Sequence, residues 1–172
     1  LTTTLPAYTA KISGITNHGR SPDLEAMELG SNLRMSEVSA AIGLEQLKQL
    51  DQWVERRRTI AALYIEAIEQ NPFLQPPKVR PGAEHAWHQF CVHTPAPEAL
   101  VAHFDRLGID ARRYYTVPIH EQAVFTHHPQ HDTALQVTNT LGATLVAIPV
   151  MHELTEGEIQ RVVQALNEFK VA

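Results

Sequence analysis

A short polar turn near the start of the chain carries two side chains that could bind an anion. Asn32 carries a neutral amide, and Arg34, two residues later, carries a guanidinium. An amide and a guanidinium can donate hydrogen bonds to a phosphate or carboxylate together, and the guanidinium is always charged. The turn is therefore a candidate anion-binding element, with the alternative that Asn32 only turns the chain ahead of a helix.

A helix that begins directly after this turn would hold it in place. Ser36 is a suitable N-cap, and Glu37 places negative charge in the first helical turn. Apolar residues then recur at spacings of three and four as far as Ile68. This pattern predicts one helix of roughly thirty residues, from Ser36 to about Asn71. The prolines between residues 72 and 82 end the helix and predict a linker.

The second half of the chain alternates short helices and strands. Apolar periodicity and turn residues predict, in order, a strand over residues 86–93, a helix over 97–107, a strand over 109–115, a helix over 133–145, a strand over 145–150 and a helix over 155–169. Thr155 and Glu158 have the spacing of a capping box at the start of the last helix.

These elements predict an α+β fold. The long N-terminal helix is expected to pack on a small, mainly antiparallel sheet with flanking helices. Residues 1–35, where Pro6 and Gly14 should limit any long element, are expected to form a leading segment that contains the anion-binding turn. Residues 36–172 are expected to form the folded domain.

Length, charge and cysteine content restrict the class of protein. A chain of 172 residues with a formal net charge of −5 can bury one core, and it lacks the basic stripe that nucleic-acid binding requires. The single cysteine, Cys91, cannot form an internal disulfide, and no apolar stretch is long enough to cross a membrane. We therefore expect a cytoplasmic protein that binds neither nucleic acid nor membranes.

The ten histidines invite a metal hypothesis. The densest group lies within residues 127–131, where Pro129 favours a loop. Zinc requires three or four ligands that converge, and this segment has neither an H-x-x-x-H frame that apolar periodicity confirms as helical nor cysteine partners. We expect a polar surface loop and no metal site.

A set of segments, in order along the chain, resembles the DegT/DnrJ/EryC1/StrS family of sugar aminotransferases, which depend on pyridoxal 5'-phosphate (PLP). Residues 15–20 are similar to the family's RNHGR segment, and residues 30–47 resemble its GyNyRmselqAAiGlaQL signature. The later segments resemble the family patterns RR..a..Y, hhaWHlf, hYp.PlH and LPlhpeLt, and they lie at residues 56–64, 87–90, 114–120 and 148–155.

The resemblance implies the small-domain fold of the fold-type I PLP enzymes. Enzymes of this family use PLP to move an amino group from glutamate to the ketone of a nucleotide-linked sugar. By resemblance, Asn32 with Arg34 nearby would bind the PLP phosphate of the neighbouring subunit in a homodimer. Tyr115 and His120 would line the nucleotide-sugar side of the cleft.

The family's catalytic lysine is expected to lie outside this chain. In the resembling enzymes it stands shortly before the RNHGR segment. The four lysines present are in positions that should be solvated, which disfavours a nucleophile, and they are Lys11, Lys48, Lys78 and Lys170. We therefore predict the C-terminal portion of an aminotransferase, with no catalytic residue of its own and no activity alone.

Two alternatives stay open. Some close relatives within the resembling family carry histidine in place of the lysine and act as sugar 3-dehydratases. The chain could also be a non-catalytic dimerisation or regulatory module that keeps the small-domain core. The residues that precede Leu1 in the encoded protein would separate these possibilities.

Overall fold

The computed structural model describes residues 5–20, 23, 25–129 and 135–171, apart from the side chain of Ala7. Contacts divide the chain into two compact units, Leu1–Gln49 and Leu50–Ala172. The boundary between these units follows residue 49. The division into a leading segment, residues 1–35, and a folded domain, residues 36–172, stays a prediction.

Two helices flank the polar turn in the first unit, α1 (Pro6–Thr16) and α2 (Glu37–Leu47). Helix α1 runs through Gly14, although Pro6 and Gly14 were expected to limit any long element. Pro6 is tolerated because it occupies the first helical turn, where the backbone N–H groups have no partner within the helix. Gly14 is tolerated because one internal glycine lowers helix stability by only about 1 kcal/mol relative to alanine. Helix α2 begins as predicted, since the Ser39 N–H donates to Ser36 Oγ at 3.1 Å.

The prediction of one long helix after the polar turn is wrong, because the structure has two. Helix α2 ends at Leu47, and α3 (Leu50–Glu69) follows a turn formed by Lys48 and Gln49. The Gln49 N–H donates to the Gln46 carbonyl at 3.0 Å, and this shorter-range bond ends the α-helical ladder. The apolar period continues across so short a turn, so the pattern alone does not reveal the break.

The second unit is a helical layer on a small antiparallel sheet, as predicted. Strand β1 (Phe90–His93) pairs with β2 (Leu145–Ile148), and α3 packs against the last helix (Glu156–Glu168). Phe90 lies opposite Ile148 in the register. The largest fully buried side chains come from both layers and comprise Tyr64, Phe90, Phe104, Phe169, Ile60, Ile68, Leu100, Ile159, Leu166, Val92 and Val146.

The strands are shorter than the sequence predicts. The first begins only at Phe90, because Trp87 adopts a φ of 49°, a left-handed conformation that cannot continue a strand. The segment predicted as the second strand makes a single antiparallel bridge at Arg112, and Tyr115 turns the chain with a φ of 58°. Strand β2 ends before Pro149, which has no N–H for the ladder.

The remaining α-helices follow the apolar pattern, and two short 3-10 helices, Ile119–Glu121 and Ala123–Phe125, lie between the second and third predicted helical segments. The α-helices are α4 (Pro97–Arg106), α5 (Gln136–Thr144) and α6 (Glu156–Glu168), and residues 133 and 134 of the predicted third helix lie outside the described residues. The capping box is confirmed. The Thr155 N–H donates to Glu158 Oε2 at 2.8 Å, and the Glu158 N–H donates to Thr155 Oγ1 at 3.3 Å.

A buried asparagine ties the end of α3 to the end of α6. Asn71 Nδ2 donates to the carbonyls of Leu166 and Phe169, each at 2.8 Å. Its Oδ1 accepts from the Phe73 N–H at 3.0 Å. One side chain therefore satisfies two carbonyls at a helix C-terminus, where the backbone has no partners of its own.

The described residues contain neither a membrane-spanning helix nor a cluster of metal ligands. No helix within residues 5–20, 25–129 and 135–171 is long and apolar enough to span a bilayer. In the same part of the chain, no group of three or more His, Cys, Asp or Glu residues could hold a metal ion. Residues 130 and 131 of the histidine-rich segment lie outside the described residues.

Candidate functional site

The polar turn is held by backbone contacts with the last residues of α1 and with Asn17, which follows the helix. The Ser31 N–H donates to the Ile15 carbonyl at 2.9 Å, and the Leu33 N–H donates to the Thr16 carbonyl at 3.0 Å. Asn32 itself forms an antiparallel bridge with Asn17. Residues 15–17 thus fix the backbone of the turn, although they lie apart from it in the sequence. The Asn32 side chain remains at the surface.

Two glycines allow these segments to approach. A Cβ on Gly30 would stand 2.1 Å from the backbone nitrogen of Gly19, which no folded structure tolerates without a backbone shift. Gly19 has a φ of +70°, and a Cβ on it would stand 1.8 Å from the Glu28 carbonyl oxygen. The sequence shows both glycines but not that they face each other.

Asn32 and Arg34, the two predicted anion-binding residues, are brought into contact. Arg34 Nε donates to Asn32 Oδ1 at 3.1 Å, and both residues are exposed. The bond occupies the acceptor end of the amide. The Asn32 amide NH₂ and the two terminal nitrogens of Arg34 have no acceptor within the described residues, so they are available as donors to an anion.

This donor set fits a phosphate group. A phosphate dianion presents several acceptor oxygens, and a guanidinium with an adjacent amide can meet two of them with charge-assisted bonds. The guanidinium neutralises part of the phosphate charge, and the neutral amide adds a directional hydrogen bond without adding charge. Because backbone hydrogen bonds hold the turn and both donors are exposed, a phosphate that belongs to another molecule can reach them.

The other two predicted site residues, Tyr115 and His120, lie in the second unit. Tyr115 is 78% exposed and holds a left-handed backbone conformation. The side chain of His120 is only 11% exposed, and its Nε2 lies 3.6 Å from Glu121 Oε1. Glu121 in turn accepts from Asn139 Nδ2 of α5 at 2.7 Å, so α5 holds the carboxylate that lies beside His120.

Tyr115 forms one wall of an open groove with a volume of about 630 Å³. Two further aromatic side chains, Tyr114 and Phe125, line it, and the Tyr114 and Tyr115 ring centroids are 5.9 Å apart. The rest of the lining is mainly aliphatic and includes Pro118, Ile119, Leu141 and Leu145. Gln122 and Thr138 supply the side-chain amide and hydroxyl.

Arg113 joins the two sides of this groove, a role that the sequence does not reveal. Its Nη2 donates to the carbonyls of Gly142 and Ala143 at 3.0 and 2.9 Å, at the C-terminus of α5. Its Nη1 pairs with Glu98 of α4. Gly142 also lies close to the tyrosine segment, since a Cβ there would stand 3.1 Å from the Thr116 carbonyl oxygen.

Neither the four lysines nor the single cysteine is placed for covalent chemistry. All four lysines are exposed, and Lys48 pairs with Glu45 at 2.6 Å. Burial raises the pKa of the Cys91 thiol, so this thiol stays protonated at neutral pH. The Asn32–Arg34 pair and the tyrosine-lined groove are therefore candidates for binding and not for covalent catalysis.

Known sequences share this architecture. The model of the DegT/DnrJ/EryC1/StrS aminotransferase family matches residues 1–167. A dTDP-3-amino-3,6-dideoxy-alpha-D-galactopyranose transaminase of Aneurinibacillus thermoaerophilus is 30% identical over 169 residues, which cover 98% of this chain and 46% of the relative. A pleiotropic regulatory protein of Geobacillus stearothermophilus is 32% identical over 154 residues, covering 88% of this chain and 41% of the relative.

Solved structures confirm the fold. The crystal structure of S. venezuelae DesV, in complex with a ketimine intermediate, matches with a TM-score of 0.91 at 26% identity. The match covers 96% of this chain and 45% of that chain. The chain thus spans less than half the length of the relatives it matches.

Proposed function

The chain belongs to the DegT/DnrJ/EryC1/StrS aminotransferase family, and from this membership we propose that it is the C-terminal part of a PLP-dependent sugar aminotransferase. The complete protein would transfer an amino group from glutamate to a nucleotide-linked keto sugar. The family match over residues 1–167 carries this proposal. It is supported by the Aneurinibacillus relative, whose name describes a transaminase of a dTDP-linked sugar.

We infer that Asn32 and Arg34 bind the phosphate of PLP. The bond from Arg34 Nε to Asn32 Oδ1 holds the amide so that its NH₂ group remains a donor. When bound, PLP supplies the electron sink of the reaction. The role of this chain would be to fix the phosphate tail and so hold the ring in one orientation.

The cofactor bound by this turn would belong to the partner subunit of a homodimer. The exposed position of both donors supports this arrangement, because they are accessible to a second chain. Tyr115 and His120 would contribute to the wall on the nucleotide-sugar side. The single cysteine, Cys91, has no partner for an internal disulfide, which supports a cytoplasmic setting.

We propose that the isolated 172-residue chain has no activity. A lysine that forms a Schiff base must be desolvated enough to lose its proton, and Lys11, Lys48, Lys78 and Lys170 are all exposed. If the isolated chain mixed with PLP developed a visible absorbance that a lysine substitution removed, this part of the proposal would be wrong.

The complete protein provides the test of function. We expect it to release 2-oxoglutarate from glutamate in the presence of PLP and a dTDP-linked keto sugar, in equal amounts to the amino sugar formed. The isolated chain serves as the control and should release none. Failure of the complete protein to transfer an amino group to any nucleotide-linked keto sugar offered would overturn the proposal.

A regulatory role is the second candidate, because the Geobacillus relative is named a pleiotropic regulatory protein. The coding sequence before Leu1 discriminates between the candidates. A lysine in the loop that precedes the Gly19 segment would favour the aminotransferase. A histidine there would favour a sugar 3-dehydratase, and neither residue would favour a non-catalytic dimerisation or regulatory module.

A further inference from the structure

A second cavity in the Leu50–Ala172 unit has a volume of about 350 Å³ and shares no lining residue with the tyrosine-lined groove. Its walls come from the segment that follows α3, from the end of β1 and from α5. Backbone hydrogen bonds join these walls. Gln75 and His93 exchange two, at 2.9 and 3.0 Å, and the Thr94 N–H donates to the Thr144 carbonyl at 3.1 Å. The cavity is therefore held open by the fold itself.

A chain of hydrogen bonds fixes the tautomer of His93 at this cavity. The Thr144 hydroxyl donates its single proton to the Thr140 carbonyl at 2.8 Å. His93 Nδ1 lies 3.1 Å from the same Thr144 oxygen, so Nδ1 carries the proton of that bond. In the neutral ring, Nε2 is then an unprotonated acceptor. No side chain or backbone group of the described residues donates to it.

The rest of the lining also offers acceptors and little positive charge. The Thr140 hydroxyl donates to the Gln136 carbonyl at 2.9 Å, so its oxygen faces a ligand as an acceptor. The Gln75 side chain adds an amide carbonyl and an NH₂ group. No Lys, Arg, Asp or Glu is among the described residues that line the cavity. An anion would therefore find few donors and no cation here.

A primary ammonium group complements this lining. It carries three N–H donors and no acceptor, and the imidazole nitrogen and the threonine oxygens are free to accept. Phe73, Pro72 and Pro95 supply apolar surface for a hydrocarbon chain, and the face of an aromatic ring attracts a cation. The formal net charge of −5 also attracts cations over a longer range.

We propose that this cavity binds a small primary alkylammonium compound. The ammonium group donates to His93 Nε2 and to the Thr140 hydroxyl oxygen, and the hydrocarbon chain lies against Phe73. This inference goes beyond the proposed function and does not depend on it. Because α5 also lines the tyrosine-lined groove, through Thr138 and Leu141, a ligand in the cavity contacts a helix that both sites share.

The tautomer of His93 provides the first test. Nitrogen-15 magnetic resonance of the imidazole rings distinguishes the two neutral forms at about pH 8, above the ordinary pKa of a histidine side chain. We expect His93 to carry its proton on Nδ1. A proton on Nε2 would overturn the proposal, because the cavity would then have no imidazole acceptor.

Backbone magnetic resonance titration of the 172-residue chain tests the class of ligand. The probes n-butylammonium, n-butyltrimethylammonium and n-butyrate share one hydrocarbon chain. We expect n-butylammonium to give saturable shifts at Gln75, His93 and Thr144, and n-butyrate to give none. The trimethylated cation keeps the charge but has no N–H donor, so it should bind about tenfold more weakly or worse. Shifts with n-butyrate, no shifts with n-butylammonium, or equal affinity for the two cations would each contradict the proposal.

Variants assign the binding to the two acceptors. His93→Phe keeps a planar ring and removes both nitrogens, so it should weaken n-butylammonium binding by about tenfold or more. Thr140→Val keeps the branched shape at an exposed position of α5, and we expect a loss of about threefold or more, a result that stands even if His93→Phe does not fold. His127→Phe replaces an exposed histidine outside the cavity and should leave binding unchanged. Cavity variants that bind as tightly as the His127→Phe control would overturn the proposal.

Discussion

Gly30 and Gly19 lie backbone against backbone, with the position of a Cβ on Gly30 only 2.1 Å from the Gly19 nitrogen. This approach holds the turn that presents Asn32 and Arg34. The sequence signature that identifies the family therefore contains a packing requirement at Gly30 as well as the proposed binding residue Asn32. Any side chain at position 30 must displace the turn.

The first prediction concerns Gly30→Ala. Because the added methyl group overlaps backbone atoms, we expect a loss of about 2 kcal/mol in the free energy of unfolding, measured by urea denaturation. Gly43→Ala is the matched control. A Cβ on Gly43 meets no atom within 4 Å, and in helix α2 alanine should raise stability by up to about 1 kcal/mol. Equal stability of the two variants would contradict the account.

The second prediction concerns Asn71. Asn71→Ala removes two donors to the carbonyls of Leu166 and Phe169 in a buried site, so it should lower the unfolding free energy by about 2–3 kcal/mol. Asn71→Asp should cost more, since it places a carboxylate against those carbonyls. The exposed Asn167 provides a control, and Asn167→Ala should change stability by less than about 0.5 kcal/mol. A mild effect of Asn71→Asp would show that the two bonds contribute little.

The third prediction concerns the hydroxyl of Tyr64. This side chain is fully buried, its hydroxyl has no partner among the described residues, and burial raises its pKa. Tyr64→Phe removes the polar atom and keeps the ring against Phe90. We expect thermal unfolding to show equal or greater stability, by up to about 2 kcal/mol. A clear loss of stability would mean that the hydroxyl bonds to a buried water molecule.

The fourth prediction concerns acid stability. The backbone N–H of Thr155 donates to Glu158, and this bond lowers the pKa of Glu158 from its ordinary value of 4.5. Because the folded pKa lies below the unfolded one, the carboxylate stabilises the fold above pH 4.5, and this contribution is lost as the pH falls through the folded pKa.

Melting temperatures measured across this pH range test the prediction. Glu158→Gln should reduce the fall in melting temperature on acidification, since the amide does not titrate. Glu66→Gln removes an exposed carboxylate from α3 and should leave the fall unchanged. Identical pH profiles for Glu158→Gln and the unaltered chain would remove Glu158 as the cause.

Local signals explain which parts of the fold are predictable. The caps at Ser36 and Thr155 are confirmed because the interacting groups lie within one helical turn of each other in the sequence. The extents of α4 and α6 follow from apolar spacing in the same way. The α+β fold class was predictable because helical and strand patterns alternate along the second half of the sequence.

Other features depend on contacts that sequence spacing does not show. The left-handed backbones of Trp87 and Tyr115 shorten the predicted strands, and neither residue type favours that conformation. The Gly19–Gly30 contact and the bonds from Arg113 to α5 join segments far apart in the chain. For the site, the sequence identified Asn32 and Arg34 as candidates, and the structure adds that the guanidinium orients the amide.

The affinity of the complete protein for PLP shows whether the Asn32 amide binds the cofactor phosphate. Asn32→Ala removes the amide donor proposed to bind the cofactor phosphate, and Asn167→Ala is the matched control at an exposed position. We predict that Asn32→Ala raises the dissociation constant for PLP by about tenfold or more, because a hydrogen bond to a charged group is lost, while Asn167→Ala leaves it unchanged. Unchanged affinity in the Asn32→Ala protein would contradict the account.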